Sequence, residues 1–443
     1  MDKAPISFMD RIRRRFGRGS FARNLALLAS GTVIGQVLVL ASAPILSRLY
    51  TEHDFGILGV YISVVTILNA VSSLRMDQAI PMPEQDEDAA LLLRLSLWIT
   101  LWFSLGAGLI IWLCREPIAR WKDEPELAQY LWLIPVTLLG FGLYRSLTAW
   151  AVRKEIYREL AATRILRAAS QVLVQVGLGF LMHGSFGLIL GNAAGQWTGI
   201  GRLLGPVREA SRGIVKKEGD FRRLWTRYIK FPLYSSPSAL LVTIPRQIPN
   251  LLFAQYFGLA EAGFLFFATR ILRQPAALLS ESISQVFLGR AARLLNEDPA
   301  RLKHLYFSTV RRMLLLSLIP AGILVLAGPW LVHWIFGERW LDSVFYIQVM
   351  AVVLIAEITV SSTSPIMSVL EKQDWQLSGD VLRTLAVIAS LVVPHYLGWS
   401  AHMTIISYAV VMILCYLVYF SIFSRAVLLK SREVAAAAGP QAQ

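Results

Sequence analysis

Apolar residues in this chain recur in blocks of about twenty, and that period decides the fold class before any motif is read. A helix of about 20 residues crosses the roughly 30 Å hydrocarbon core of a bilayer. The blocks run approximately over 24–46, 55–74, 90–113, 128–150, 160–182, 186–206, 232–257, 262–287, 307–330, 344–370, 378–397 and 402–424. Soluble domains are about one quarter charged; here 16% of residues are charged and 55% are hydrophobic. The pattern predicts an all-α polytopic membrane protein of about twelve transmembrane helices.

The formal net charge of +14 would suggest nucleic acid, but its placement gives another reason for it. With the N-terminus in the cytoplasm, the inside segments collect Arg11, Arg13, Arg14, Arg15 and Arg18, then Arg153, Lys154 and Arg158. They also collect Arg208, Arg212, Lys216, Lys217, Arg222 and Arg223, then Arg290, Arg293, Arg301 and Lys303. The other side holds Arg48, Arg115, Arg120, Lys122 and Arg339. This is the positive-inside asymmetry, and it predicts that both termini are cytoplasmic. No nucleic-acid partner is expected, whereas anionic membrane lipids are. Ala41-Ser42-Ala43 imitates a signal-peptidase site, but the run before it is too long and more spans follow, so an uncleaved first helix is expected. Cys114 and Cys415 have no metal or redox spacing and are expected to pack as small apolar groups. No metal or cofactor is implied.

The long polar stretch near 208–230 divides the chain in two. The expected layout is a basic cytoplasmic N-terminus (1–23), an N-terminal six-helix bundle (24–207), a basic linker (208–230), a C-terminal six-helix bundle (231–424) and a cytoplasmic tail (425–443). A shift of 207 residues pairs YTEHDFG (Tyr50–Gly56) with FGLAEAG (Phe257–Gly263). Even-numbered halves run in the same direction, which implies parallel repeats with a substrate site between them near the midplane. The outside loops, around 113–127 and 331–344, are too short to hold a folded domain.

Charges inside spans are the informative residues, because each is costly in hydrocarbon. In the seventh block Ser236, Thr243, Arg246, Gln247 and Asn250 form a helical stripe, interrupted by Pro245 and Pro249. Those prolines lack an N–H, so the carbonyls of Leu241 and Pro245 lose their helical partners and need a polar neighbour. In the eighth block Arg270, Arg273, Gln274 and Glu281 form a second stripe. At 1.5 Å per residue, Arg270 and Arg273 sit roughly 12 and 16 Å from the outer end, near the depth of Arg246. Three guanidinium groups at one depth repel unless an anion joins them, and their forks match phosphate oxygens. Arg246, Arg270 and Arg273 are therefore candidate anion ligands, with Thr243, Gln247, Asn250 and Gln274 as polar cavity residues. The alternative is a kinked helix whose arginine pairs with a carboxylate or carbonyl. Gln36 in the first block is a further cavity candidate, beside a Gly31/Gly35 packing pair.

The tenth block carries Glu357, Ser361, Ser364 and Ser368 on one face. Glu357 and Glu281 are candidates for H+ or Na+ coupling, and a salt bridge from Glu357 to one of the arginines is the alternative. Arg145 is expected to snorkel towards the cytoplasm. Asp77, Asp380 and Arg383 are expected to be interfacial, and Glu84, Asp86, Glu87 and Asp88 to be solvated charge at a helix N-terminus. Glu52-His53-Asp54 fits an acid-x-acid metal motif formally, but a capping turn explains it better.

One resemblance rests on residues 43–68, APILSRLYTEHDFGILGVYISVVTIL, followed by LRMDQAIPMPEQDEDAALLLRLS. These resemble the N-terminal signature of bacterial lipopolysaccharide and exopolysaccharide flippases, the Wzx-like O-antigen group. That group is the polysaccharide-transporter branch of the multidrug/oligosaccharidyl-lipid/polysaccharide superfamily. The resemblance implies two six-helix bundles around a central, often cationic cavity. It also implies transport of undecaprenyl-pyrophosphate-linked oligosaccharide across the bacterial inner membrane, in a pathway shared with glycosyltransferases and a polysaccharide polymerase. A drug or cation exporter of the same superfamily, which would need an acidic cavity, and a membrane glycosyltransferase are the competing readings. The chain is expected not to be an enzyme.

Overall fold

Every apolar block in the described residues folds as helix, as a chain without water to satisfy its amides requires. The structure is a computed structural model that describes residues 21–114, 125–210, 220–298 and 300–437. The basic residues Arg11 to Arg18, Arg115, Arg120, Lys122, Arg212, Lys216 and Lys217 lie outside these.

The N-terminal part contains α1 (Phe21–Ala41), α2 (Ala43–Leu49), α3 (Glu52–Asn69), α4 (Asp86–Leu113), α5 (Pro125–Tyr130), α6 (Leu133–Arg153) and α7 (Tyr157–Leu181). It continues with α8 (Phe186–Trp197), α9 (Ile200–Ala210) and the short amphipathic α10 (Asp220–Arg227). A π-turn at Phe231–Ser235 leads into α11 (Ser236–Phe257), α12 (Leu259–Glu297) and α13 (Ala300–Phe336). The last helices are α14 (Ser343–Ser361), α15 (Ile366–Val369), α16 (Gln373–Tyr396) and α17 (Ala401–Ala437).

Among the described residues, six helical stretches are long and apolar enough to cross a membrane: Leu27–Leu49, Asp86–Leu113, Arg301–Phe336, Ser343–Val369, Gln373–Tyr396 and Ala401–Glu433. The other apolar blocks are shorter or more polar. They include α6 with Arg145, α7 with Arg164 and Arg167, and α11 and α12 with Arg246, Arg270 and Arg273.

Contacts divide the chain into two units. One comprises Met1–Ser42, Leu68–Met182 and Phe186–Pro237; the other comprises Ala43–Ile67, His183–Ser185 and Ser238–Gln443. Thus α2 and most of α3, from the first half of the sequence, pack with the second half.

In the first unit, Gly31 and Gly35 let α1 lie on α7. A Cβ at Gly31 would come within 2.7 Å of the Ala161 Cα, and one at Gly35 within 3.2 Å of the Arg164 carbonyl oxygen. The core of this unit gathers Leu92, Leu147, Trp150, Leu160 and Leu224. Its loop after α3 contains two left-handed residues, Leu74 (φ 49°) and Arg75 (φ 60°), a conformation that non-glycine residues hold only when their surroundings enforce it. The enforcing contacts run from Arg145. Its Nε lies 3.1 Å from Asp77 Oδ2, its Nη1 donates to Asn69 O (2.8 Å) and its Nη2 donates to Ser73 Oγ (2.5 Å). A carboxylate buried on the neighbouring loop, that of Asp77, holds Arg145.

The acidic run after this loop is also not simply solvated. Arg153 donates to Pro83 O (2.6 Å), Pro81 O and Glu84 O (3.2 Å each), and Asp86 Oδ1 (3.0 Å). Lys154 joins Asp86, and Arg223 joins Asp88. The sequence places these partners far from the run, so it could not show them.

In the second unit, Thr51 and Asp54 form a reciprocal cap at the start of α3. The amide and hydroxyl of Thr51 both donate to Asp54 Oδ2 (2.8 Å each), and the Asp54 amide returns a bond to Thr51 Oγ1 (3.2 Å). The carboxylate is thereby engaged in capping. The turns that pair under the sequence repeat also touch. A Cβ at Gly56 would collide with the Leu259 carbonyl, and one at Gly263 with the Glu52 carbonyl. Glu52 and Leu259 are equivalent under the same shift of 207 residues, so the crossing is reciprocal. Trp340 stacks on Phe267 (4.0 Å between centroids), meets Phe55 edge-on (5.0 Å) and donates its Nε1 to Ser47 O (2.8 Å). Cys114 is exposed instead of packed, and Cys415 is half-buried.

Candidate functional site

α11 continues through Pro245 and Pro249, and its polar residues separate into two sets. Gln247 and Asn250 face α3: Ser63 Oγ donates to Gln247 Oε1 (3.2 Å) and accepts from Asn250 Nδ2 (3.3 Å). Thr243 bonds to its own helix, donating to Ala239 O (2.7 Å). The Leu241 carbonyl, freed by Pro245, accepts from Thr384 Oγ1 of α16 (3.2 Å). Arg246 takes none of these bonds and opens into a cavity.

That cavity has a volume of about 380 Å³ and lies among α11, α12 and α14. Its polar lining includes Arg246, Arg273, Glu281, Glu357, Ser361 and Ser364. Arg273 Nε lies 3.6 Å from Glu357 Oε2, with the two side chains 24% and 17% exposed. Of the two roles considered for Glu357, the structure shows the salt bridge. Glu281 is exposed and accepts from Gln285 Nε2 (2.9 Å). The lining therefore does not carry the expected positive excess, since two arginines face two glutamates. The charges are not all engaged, however. Arg246 makes no ion pair among the described residues.

A smaller cavity of about 110 Å³ shares Arg246, Ser361 and Ser364 with the first. Gln376, Asp380, Arg383, Tyr416 and Tyr419 complete its polar lining. Arg383 Nη2 lies 3.1 Å from Asp380 Oδ1, and Tyr419 donates its hydroxyl to the same oxygen (2.5 Å). Both charged residues are buried inside the unit. Their i, i+3 spacing, with Gln376 a turn before and Thr384 a residue after, was the available signal.

The structure brings Arg246, Arg273, Glu281 and Glu357 to one cavity, and leaves out other candidates. Arg270 lines neither cavity, and its Nη1 is buried without a hydrogen-bond partner among the described residues. Gln274 lines neither cavity as well. Gln36 belongs to the first unit, where its Oε1 is buried without a partner.

Comparison with known proteins places this geometry in a lineage. The model of a family described as polysaccharide biosynthesis protein matches residues 45–345. The succinoglycan biosynthesis transport protein ExoT of Rhizobium meliloti is 24% identical over 307 residues, which cover 68% of this chain and 60% of that protein. The match thus spans under two thirds of the relative's length. Two solved structures share the fold. Lipid II flippase MurJ in an inward closed conformation is 12% identical, with a TM-score of 0.67 over 92% of this chain and 90% of that one. An inward-facing multidrug resistance MATE transporter of the MOP superfamily is 14% identical, with a TM-score of 0.65 over 92% of this chain and 99% of that one. The fold is an all-α, multi-pass membrane fold of the MOP type. With well over half of its residues inside the family match, the chain belongs to the polysaccharide biosynthesis protein family.

Proposed function

We propose that this protein is a flippase that carries undecaprenyl-pyrophosphate-linked oligosaccharide across the bacterial inner membrane for lipopolysaccharide or exopolysaccharide synthesis. The observation that carries the reading is Arg246, a guanidinium without an ion pair among the described residues, opening into a cavity within the helices. A charge left unpaired in such a place is costly unless a ligand completes it, and a guanidinium fork suits the bidentate oxygens of a pyrophosphate. Arg273, already opposite Glu357, is the second ligand: an incoming anion competes with that carboxylate. The relative named as a transport protein supports transport over glycosyl transfer. In this reading the N- and C-terminal six-helix bundles alternate access, both termini are cytoplasmic, and the membrane lipids surround the isoprenoid tail. The glycosyltransferases and polymerase of the pathway supply and consume the cargo.

Coupling to H+ or Na+ belongs to Glu281 before Glu357, because Glu281 has no basic partner among the described residues. The same free carboxylate is the one feature that favours a cation exporter. Deletion and complementation separate the readings. Arg246→Ala should abolish surface polysaccharide and accumulate the lipid-linked intermediate on the cytoplasmic side, while the protein still reaches the membrane. Normal polysaccharide in that variant overturns the assignment of Arg246 to the anion site; drug sensitivity in the deletion strain without loss of polysaccharide overturns the flippase.

A further inference from the structure

The smaller cavity differs in chemistry from the larger one, although Arg246 lines both. Its own arginine, Arg383, is already neutralised by Asp380, and both are at least nine-tenths buried (7% and 9% exposed). An anion entering here would meet the Asp380 carboxylate, so a second phosphate is a poor occupant. The cavity still offers both hydrogen-bond senses. Asp380 accepts; Arg383 Nε is buried without a hydrogen-bond partner among the described residues and can donate; the Gln376 amide can do both. The hydroxyls of Ser361 and Ser364 donate to backbone carbonyls and keep lone pairs free. Alternating donors and acceptors around a neutral centre match the vicinal hydroxyls of a sugar, each of which donates and accepts. The volume of about 110 Å³ admits one edge of one ring, not a chain of sugars.

We propose that this cavity binds the hydroxylated edge of the first sugar, the one attached to the pyrophosphate, with Gln376, Asp380 and Arg383 as its hydrogen-bonding groups. The proposal rests on the flippase reading. Arg246 stands in the wall between the two cavities, so one ligand can place its pyrophosphate on one side of the guanidinium and its first ring on the other. The lining would then select for the head of the cargo, and longer glycans would extend outside it.

The test uses the full chain in lipid nanodiscs and two kinds of probe: farnesyl pyrophosphate, and farnesyl pyrophosphate bearing glucose, galactose or N-acetylglucosamine. Wild type should bind at least one glycosylated probe more tightly than the bare one, by about tenfold for hydrogen bonds to charged groups. Gln376→Ala should bring that ratio towards one and leave the affinity for bare farnesyl pyrophosphate unchanged, whereas Asp380→Asn, which frees the Arg383 charge, should lower the ratio and tighten the bare probe. Arg246→Ala should weaken both probes together. If wild type prefers no glycosylated probe, or if Gln376→Ala keeps the full preference, the sugar site is wrong while the anion site stands. If Arg246→Ala leaves bare farnesyl pyrophosphate binding intact, the anion site itself is wrong. Gln376→Ala removes no ion pair and keeps the test decisive should Asp380→Asn fail to fold.

Discussion

Arg273 and Glu357 face each other across the larger cavity at 3.6 Å, whereas Arg246 on the adjoining helix has no carboxylate partner among the described residues. The pair is only partly shielded, at 24% and 17% side-chain exposure, so its removal should cost less than that of a fully buried one. Glu357→Gln or Arg273→Gln alone should lower stability by about 2 kcal/mol, because each leaves one charge uncompensated. The double variant should lose clearly less than the two single losses added. Thermal unfolding of the four proteins in one detergent measures this; strict additivity would show that the two side chains do not interact.

A second relationship concerns the carbonyl that Pro245 leaves open. Thr384 Oγ1 lies 3.2 Å from Leu241 O and 2.7 Å from Asp380 O, so one hydroxyl serves two carbonyls. Thr384→Val should destabilise the protein by about 1 kcal/mol. In a Pro245→Ala background the restored amide reaches Leu241 O within the helix, and Thr384→Val should then cost little. An equal loss in both backgrounds, read from the same unfolding measurement, removes this role from Thr384.

How far the site could be read from sequence follows from helix geometry. Arg246, Arg273, Glu281, Glu357, Ser361 and Ser364 come from three blocks and meet in one cavity, because each is a polar break in an apolar helix. Rotation about the helix axis was less legible. Gln247 follows Arg246 by one residue and therefore points about 100° away, towards Ser63 and not the cavity. Arg270 stands about 4.5 Å nearer the start of α12 than Arg273, where that helix's part of the lining begins, so it falls short along the axis. The burial of Asp380 and Arg383 was not legible, because position along a span does not say which helices cover a residue. Only the packing of α16 against α17, where Tyr419 reaches Asp380, reveals their burial.

The reciprocal glycine crossing gives a prediction with a sign. A methyl group at Gly56 or Gly263 has no space, since backbone carbonyls of Leu259 and Glu52 stand in the way. Gly56→Ala and Gly263→Ala should each destabilise the second unit by about 1–3 kcal/mol or more. Gly106 and Gly177 have nothing within 4 Å of an added Cβ. There the gain in helix propensity, up to about 1 kcal/mol, should leave stability unchanged or slightly raised. Thermal midpoints of the four variants decide. Equal shifts in all of them would show that the two turns do not cross closely.

The loop between α3 and α4 supplies the last prediction. One guanidinium, that of Arg153, ties Pro81 O, Pro83 O, Glu84 O and the Asp86 carboxylate together. The fork geometry matters here more than the charge, because an ammonium cannot reach several separated acceptors at once. Arg153→Lys should therefore behave like Arg153→Ala: both should make the segment around 81–86 markedly more sensitive to limited proteolysis of the purified protein. Lys154→Ala should have a smaller effect, since among the described residues of that loop it loses its contact to Asp86 and no other. Full protection in Arg153→Lys would mean that positive charge at this position suffices and that the loop does not depend on the fork.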